Sequence, residues 1–208
     1  EYYPEVGSLH NANARLQPEL LSIGTANNEF SALYSIIART SKLINLIAEK
    51  DGFKQAKEAG EVNDWTQLYG ESLSMKAFCY FELVKHYGDV PYGYENTSAA
   101  QYSLNSRFDI LDNVIDMFKE AAPYMYRLGE GGITAERMSR GFAEAMAGMA
   151  ALYSAGWQTV RTDVAGLYGD VQLETKGVEE YKSIYARRTD YLDYYKIAET
   201  CFDLAMAN

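Results

Sequence analysis

Proline interrupts this 208-residue chain at only four positions, Pro4, Pro18, Pro91 and Pro123, and that scarcity constrains the fold more than any other feature. Proline breaks helix interiors and central strands alike, so its absence leaves long stretches free to form regular structure. Within those stretches the apolar residues recur with a 3.6-residue period, the mark of amphipathic helices. Five segments show it, at about 30–50, 64–87, 108–122, 135–155 and 190–208. In the first, Leu33, Ile36, Ile37, Leu43, Ile44 and Ile47 share one broad stripe. Stop signals follow at Asp51-Gly52, Gly88, Pro123 and Gly156, and Asp64 is a good N-cap for the second segment. Strand alternation is nearly absent. The reading is an all-α fold, one helical region over 1–208, with long loops at 88–106, 123–134 and 157–177 and a short helix over 178–187.

An internal repeat refines this architecture. Ala77 and Gly88 are eleven residues apart, as are Ala145 and Gly156, and each pair closes a helix rich in small residues. After the first pair comes Val114-x3-Phe118-x2-Ala121, and after the second Ala198-x3-Phe202-x2-Ala205. That spacing places three residues on one helix face. It is similar to the second helix of a tetratricopeptide (TPR) unit, where small residues let paired helices approach closely. Trp65-x2-Leu68 resembles the start of a TPR first helix, although Gly70 falls one place late. The expectation is a TPR-like solenoid of helix pairs with loops inserted between them.

Composition narrows the function. The net charge is −10, and no Lys/Arg cluster could grip a phosphate backbone, which excludes nucleic acid as a partner. No run of 18 apolar residues is present, so nothing in the sequence spans a bilayer as a helix. The first residue is Glu1 and the helical pattern at 201–208 ends without a cap, so the chain reads as cut at both ends, with any targeting signal outside it. Cys79 and Cys201 lie in helical patterns and read as free buried thiols. His10 and His86 belong to no metal or nucleophile motif, and no pair of carboxylates stands out as a glycosidase would need. The chain is read as no enzyme, with no cofactor and no metal.

One segment carries a family resemblance. Residues 76–92 read Lys-Ala-Phe-Cys-Tyr-Phe-Glu-Leu-Val-Lys-His-Tyr-Gly-Asp-Val-Pro-Tyr. Ala77, Phe78, Tyr80, Phe81, Leu83, Val84, Tyr87, Gly88, Asp89, Val90 and Pro91 match the signature of the SusD/RagB family, which this segment resembles. Lys76 stands where that pattern has Arg, and Ser72 where it has Ala. Upstream, Leu33-Tyr34-Ser35-Ile36 with Asn45-Leu46-Ile47 is similar to another family helix, and 107–123 and 134–156 fit the helices that follow. The resemblance implies a nutrient-binding lipoprotein on the outer surface of the outer membrane. Such a protein binds an oligosaccharide or polysaccharide, or in some members a peptide, and caps a SusC-like TonB-dependent transporter. It implies that the family's second half and its lipid anchor lie outside this chain. A TPR-type protein-interaction scaffold is the alternative reading.

Tyrosine is common, 18 residues in all, and its ring can stack on the apolar face of a sugar. One ring covering roughly 100 Å² contributes about 2.5 kcal/mol. Millimolar binding already needs about 4 kcal/mol, so a site requires two or more plates with polar partners. The best cluster is the loop with Tyr92, Tyr94, Asn96 and Tyr102; its rings either bind ligand or pack on the helices or the transporter. Tyr2 and Tyr3 with Asn11 and Asn13 form a second patch. Trp157, just past a helix end, is open between core and exposed plate. Trp65 reads as core, and Tyr191, Tyr194 and Tyr195 as core or inter-repeat packing.

Overall fold

A computed structural model describes residues 25–93 and 103–207. Its helices are α1 (Thr25–Ala48), α2 (Asp51–Ala59), α3 (Asp64–Tyr87), α4 (Arg107–Ala121), α5 (Arg140–Ala155) and α6 (Tyr191–Ala207). Strands β1 (Gln158–Arg161), β2 (Leu173–Glu180) and β3 (Ser183–Arg188) lie between α5 and α6 and form an antiparallel sheet in the order β1-β3-β2. The described part is mostly helical, a stack in which α1 packs on α3, α3 on α4, α4 on α5 and α5 on α6. Long-range contacts show successive pairs running antiparallel. Tyr69 near the start of α3 bonds Glu120 at the end of α4, and Phe30 in α1 meets Tyr87 at the end of α3.

The core follows the first copy of the repeat; of the second, Ala198 is buried while Phe202 and Ala205 are only half-buried. Val114, Phe118 and Ala121 are fully buried, and so are Ala143, Ala147, Ala150 and Ala151 on α5. Small side chains bring α5 close to its neighbours. A Cβ on Gly148 would stand 2.8 Å from the Phe202 ring, so glycine is what lets α6 seat there. Both cysteines are free and buried. No helix among the described residues is long and apolar enough to cross a membrane.

Several local expectations are revised. The first helical segment stops at Ala48, and Asp51-Gly52 opens α2 instead of ending the chain's helical run. Gly52 is tolerated in that first turn because the Trp65 indole fills the space where a Cβ would sit, 2.6 Å away. Trp65 itself remains 39% exposed rather than forming core. The N-cap of α3 is Asn63, which accepts from the backbone N–H groups of Trp65 and Thr66 in a capping box. Helix α5 begins at Arg140, capped by Ser139, not at Ala135.

The largest departure is at 178–187, where a helix was expected and β2 and β3 form a hairpin. Its two central residues, Tyr181 and Lys182, have φ of 50° and 59°. A two-residue hairpin turn of this hand needs positive φ at both positions, usually supplied by Asn-Gly. Tyr-Lys gives no such signal, and the sequence therefore reads through the turn.

Candidate functional site

The signature segment builds a braced turn at the end of α3. Gly88 takes φ 76°, which ends the helix, and Pro91 prevents its resumption. A Cβ on Gly88 would lie 2.2 Å from Arg107 Nη2, so glycine also makes room for that guanidinium. The buried Asp89 carboxylate uses that room. Its Oδ1 accepts from the Arg107 backbone N–H at 2.9 Å and from Nε at 3.2 Å; its Oδ2 accepts from Nη2 at 3.2 Å and from the Tyr168 hydroxyl at 2.9 Å. A carboxylate beside the first turn of α4 is further favoured by that helix's dipole. Tyr168 in turn accepts from the Arg161 N–H at 2.9 Å, so Asp89 ties the inserted sheet to the turn. Burial, reinforced by the Asp89 charge, pushes the Tyr168 hydroxyl up to about 12.

This turn is the base of the Tyr/Asn-rich loop. Asn105 N–H donates to the Val90 carbonyl at 3.0 Å, and Tyr92 N–H donates to Asn105 Oδ1 at 3.0 Å, so the two ends of the loop are fastened together. The Tyr34 hydroxyl donates to the Pro91 carbonyl at 2.5 Å. Tyr92 is half-buried, its ring centroid 4.7 Å from that of Tyr80. Tyr94, Asn96 and Tyr102, together with the patch at Tyr2, Tyr3, Asn11 and Asn13, lie outside the described residues. Of the other signature residues, Ala77, Tyr80, Phe81 and Leu83 are buried core, while Phe78 and Tyr87 pack half-buried against it.

Trp157 is placed elsewhere, at the entry to β1. Its ring is parallel to Tyr185, with 3° between planes and 6.0 Å between centroids. The Arg187 guanidinium lies 4.9 Å from the Trp157 centroid and 3.5 Å from that of Tyr191. Beside Trp157 is a groove of about 430 Å³, lined in part by Arg107, Tyr153, Gln158, Thr159 and Tyr185. Sequence reasoning named Trp157 but missed Tyr185, Gln158 and Arg187, because it read that segment as helix and loop. Tyr194 is partly buried and donates to Asp112 Oδ1 at 2.6 Å; Tyr195 is 41% exposed. Buried Arg188 bonds Asp112, Ser154 and Asp190 and anchors the sheet to the helix stack.

Among the described residues no group of three His, Cys, Asp or Glu side chains could hold a metal ion. The buried carboxylates of Asp89 and Glu144 are each engaged by an arginine, Arg107 and Arg140.

Comparison with known proteins gives concordant results. Residues 7–125, more than half of the chain, match the SusD-like family described as "Starch-binding associating with outer membrane". A structure solved with a xylogluco-oligosaccharide superposes with a TM-score of 0.58 at 16% identity, covering 91% of this chain and 30% of its own. A SusD-like carbohydrate-binding protein from Bacteroides fragilis superposes with a TM-score of 0.53 at 20% identity, covering 63% of this chain and 25% of its own. The chain therefore spans under a third of the length of either structure. Among curated proteins none matches it.

Proposed function

This chain belongs to the SusD-like family of starch-binding proteins associating with the outer membrane, and from that premise we propose that it is the helical part of a cell-surface glycan-binding protein. In this reading it captures oligosaccharides and hands them to a TonB-dependent transporter, held at the outer surface by a lipid anchor on the same protein. The observation that carries the proposal is the fastened base of the loop after Pro91. Asp89, Asn105 and the Tyr34 hydroxyl hold both ends of that loop. Holding a loop's two ends together in advance removes the cost of closing it from the cost of binding. In this reading Tyr94 and Tyr102 supply the stacking plates and Asn96 the hydroxyl partner. The solved relatives with carbohydrate in their descriptions agree with this reading.

Affinity electrophoresis of the protein through gels containing a panel of polysaccharides tests it. Retardation by one neutral glycan, lost in Tyr94→Ala and Asn96→Ala, is the expected outcome. Retardation by none, with binding only to a peptide mixture, would count against it.

A further inference from the structure

The repeat that sets Ala145 and Gly156 in the places of Ala77 and Gly88 also sets Met149 and Leu152 of α5 in the places of Phe81 and Val84 of α3. Matched in the same way on Phe202 and Phe118, α6 sets Leu192, Tyr195, Glu199 and Met206 where α4 has Phe108, Leu111, Ile115 and Ala122. In the first helix pair every one of these positions is buried, none more than 4% exposed. Phe81 meets the Tyr153 ring of α5, and Phe118 meets the Phe142 ring of the same helix. Phe108 packs on the inserted sheet. The first pair is thus closed by the elements that follow it in the chain.

In the second pair the same positions are open. Met149 is 49% and Leu152 42% exposed on α5; Leu192 is 56%, Tyr195 41% and Met206 78% exposed on α6. With Glu199 and Phe202 between them, the α6 residues recur at intervals of three and four and form one stripe. A helix-pair solenoid ends on a polar capping face, whereas this stripe is apolar at every place but Glu199. A second copy of the chain fits it poorly. Two α6 helices facing each other in register, parallel or antiparallel about the middle of the stripe, would set Glu199 against its own counterpart, and like charges in a desolvated contact repel. The chain covers only 30% and 25% of the two solved structures on which it superposes, so proteins of this fold carry further polypeptide that could lie there.

We propose that the open face of α5 and α6 seats the first helix of a third repeat, placed as α5 is placed on α3 and α4 and supplied by polypeptide continuing after α6. That helix sets one large apolar side chain on Met149, as Tyr153 sits on Phe81, and another on Phe202, as Phe142 sits on Phe118. It also brings a basic or hydroxyl side chain to Glu199, because a carboxylate covered without a donor is unfavourable. The face is then an internal joint of the stack, independent of the glycan-binding reading above.

Hydroxyl-radical footprinting of the full-length polypeptide tests the joint. Met149 and Met206 should be oxidised at least about tenfold more slowly than in the urea-unfolded protein. Tyr181, 97% exposed, should react at nearly its unfolded rate. Met149→Asp and Leu152→Asp should each lower Tm by about 3 °C or more, while Tyr181→Asp should not lower it. A benzophenone side chain in place of Tyr195 should cross-link to a helix that follows Ala207 in the same polypeptide. Fast oxidation of both methionines, with Tm unchanged in both α5 variants, would show the face open and overturn the proposal. Cross-linking to a second copy or to another protein would give the face to that partner and overturn it equally.

Discussion

At Gly88 the absence of a side chain lets two distant groups meet. Alanine there would adopt an unfavourable φ, at a cost of about 1–2 kcal/mol, and would displace Arg107 from Asp89. Breaking a buried pair adds to that cost. Gly88→Ala should therefore destabilise the protein by about 3 kcal/mol and lower Tm by about 6–12 °C in a thermal melt; an unchanged Tm would contradict the role of the turn. The Tyr168 hydroxyl makes a pH prediction. Its folded value, about 12, lies above the ordinary tyrosine value of about 10. The folded state thus holds a proton that the unfolded state releases between those values, and stability falls as pH rises through that window. Tyr69, raised by burial and by its bond to Glu120, and Tyr194, raised by burial and by Asp112, act in the same direction. Tm measured from pH 9 upward should fall steeply above about pH 10, and less steeply in Tyr168→Phe. At this scale the signature residues were readable because they are contiguous. The partners of Asp89 were not, since Arg107 and Tyr168 lie 18 and 79 residues away and nothing local marks them.

Among elements, the helices were legible and the sheet was not, for definite reasons. Helical periodicity accumulates over many residues, and Gly and Pro punctuated it at 88, 123 and 156. The hairpin is short, mostly exposed and charged along β2, and turns through Tyr181-Lys182 without glycine. That turn is an avoidable strain. Replacing it with Asn-Gly (Tyr181→Asn with Lys182→Gly) should stabilise the protein by about 1 kcal/mol, raising Tm by about 2–4 °C; a lower Tm would argue against this turn geometry. The α5–α6 contact responds oppositely. Gly148→Ala drives a methyl toward the Phe202 ring and should cost about 1–3 kcal/mol, measurable by urea unfolding.

The whole molecule combines a rigid helical stack, a fastened loop base and an inserted sheet with aromatic plates. Helix-pair packing was visible in part: Val114, Phe118 and Ala121 at the repeat spacing are all buried, whereas of Ala198, Phe202 and Ala205 at the same spacing only Ala198 is. The candidate site was only half visible: the loop with Tyr92 and the position of Trp157 stood out, whereas Tyr185 and Gln158 reach the groove only through sheet pairing. A protein of net charge −10 that recognises a neutral glycan by stacking and hydrogen bonding should bind with little dependence on salt. Calorimetric titration with the glycan that retards the protein in gels, at low and at high ionic strength, tests the central claim most directly. The account predicts saturable binding with a dissociation constant insensitive to salt and lost in Tyr94→Ala. Absence of binding to any glycan, or affinity that collapses as salt rises, would contradict it.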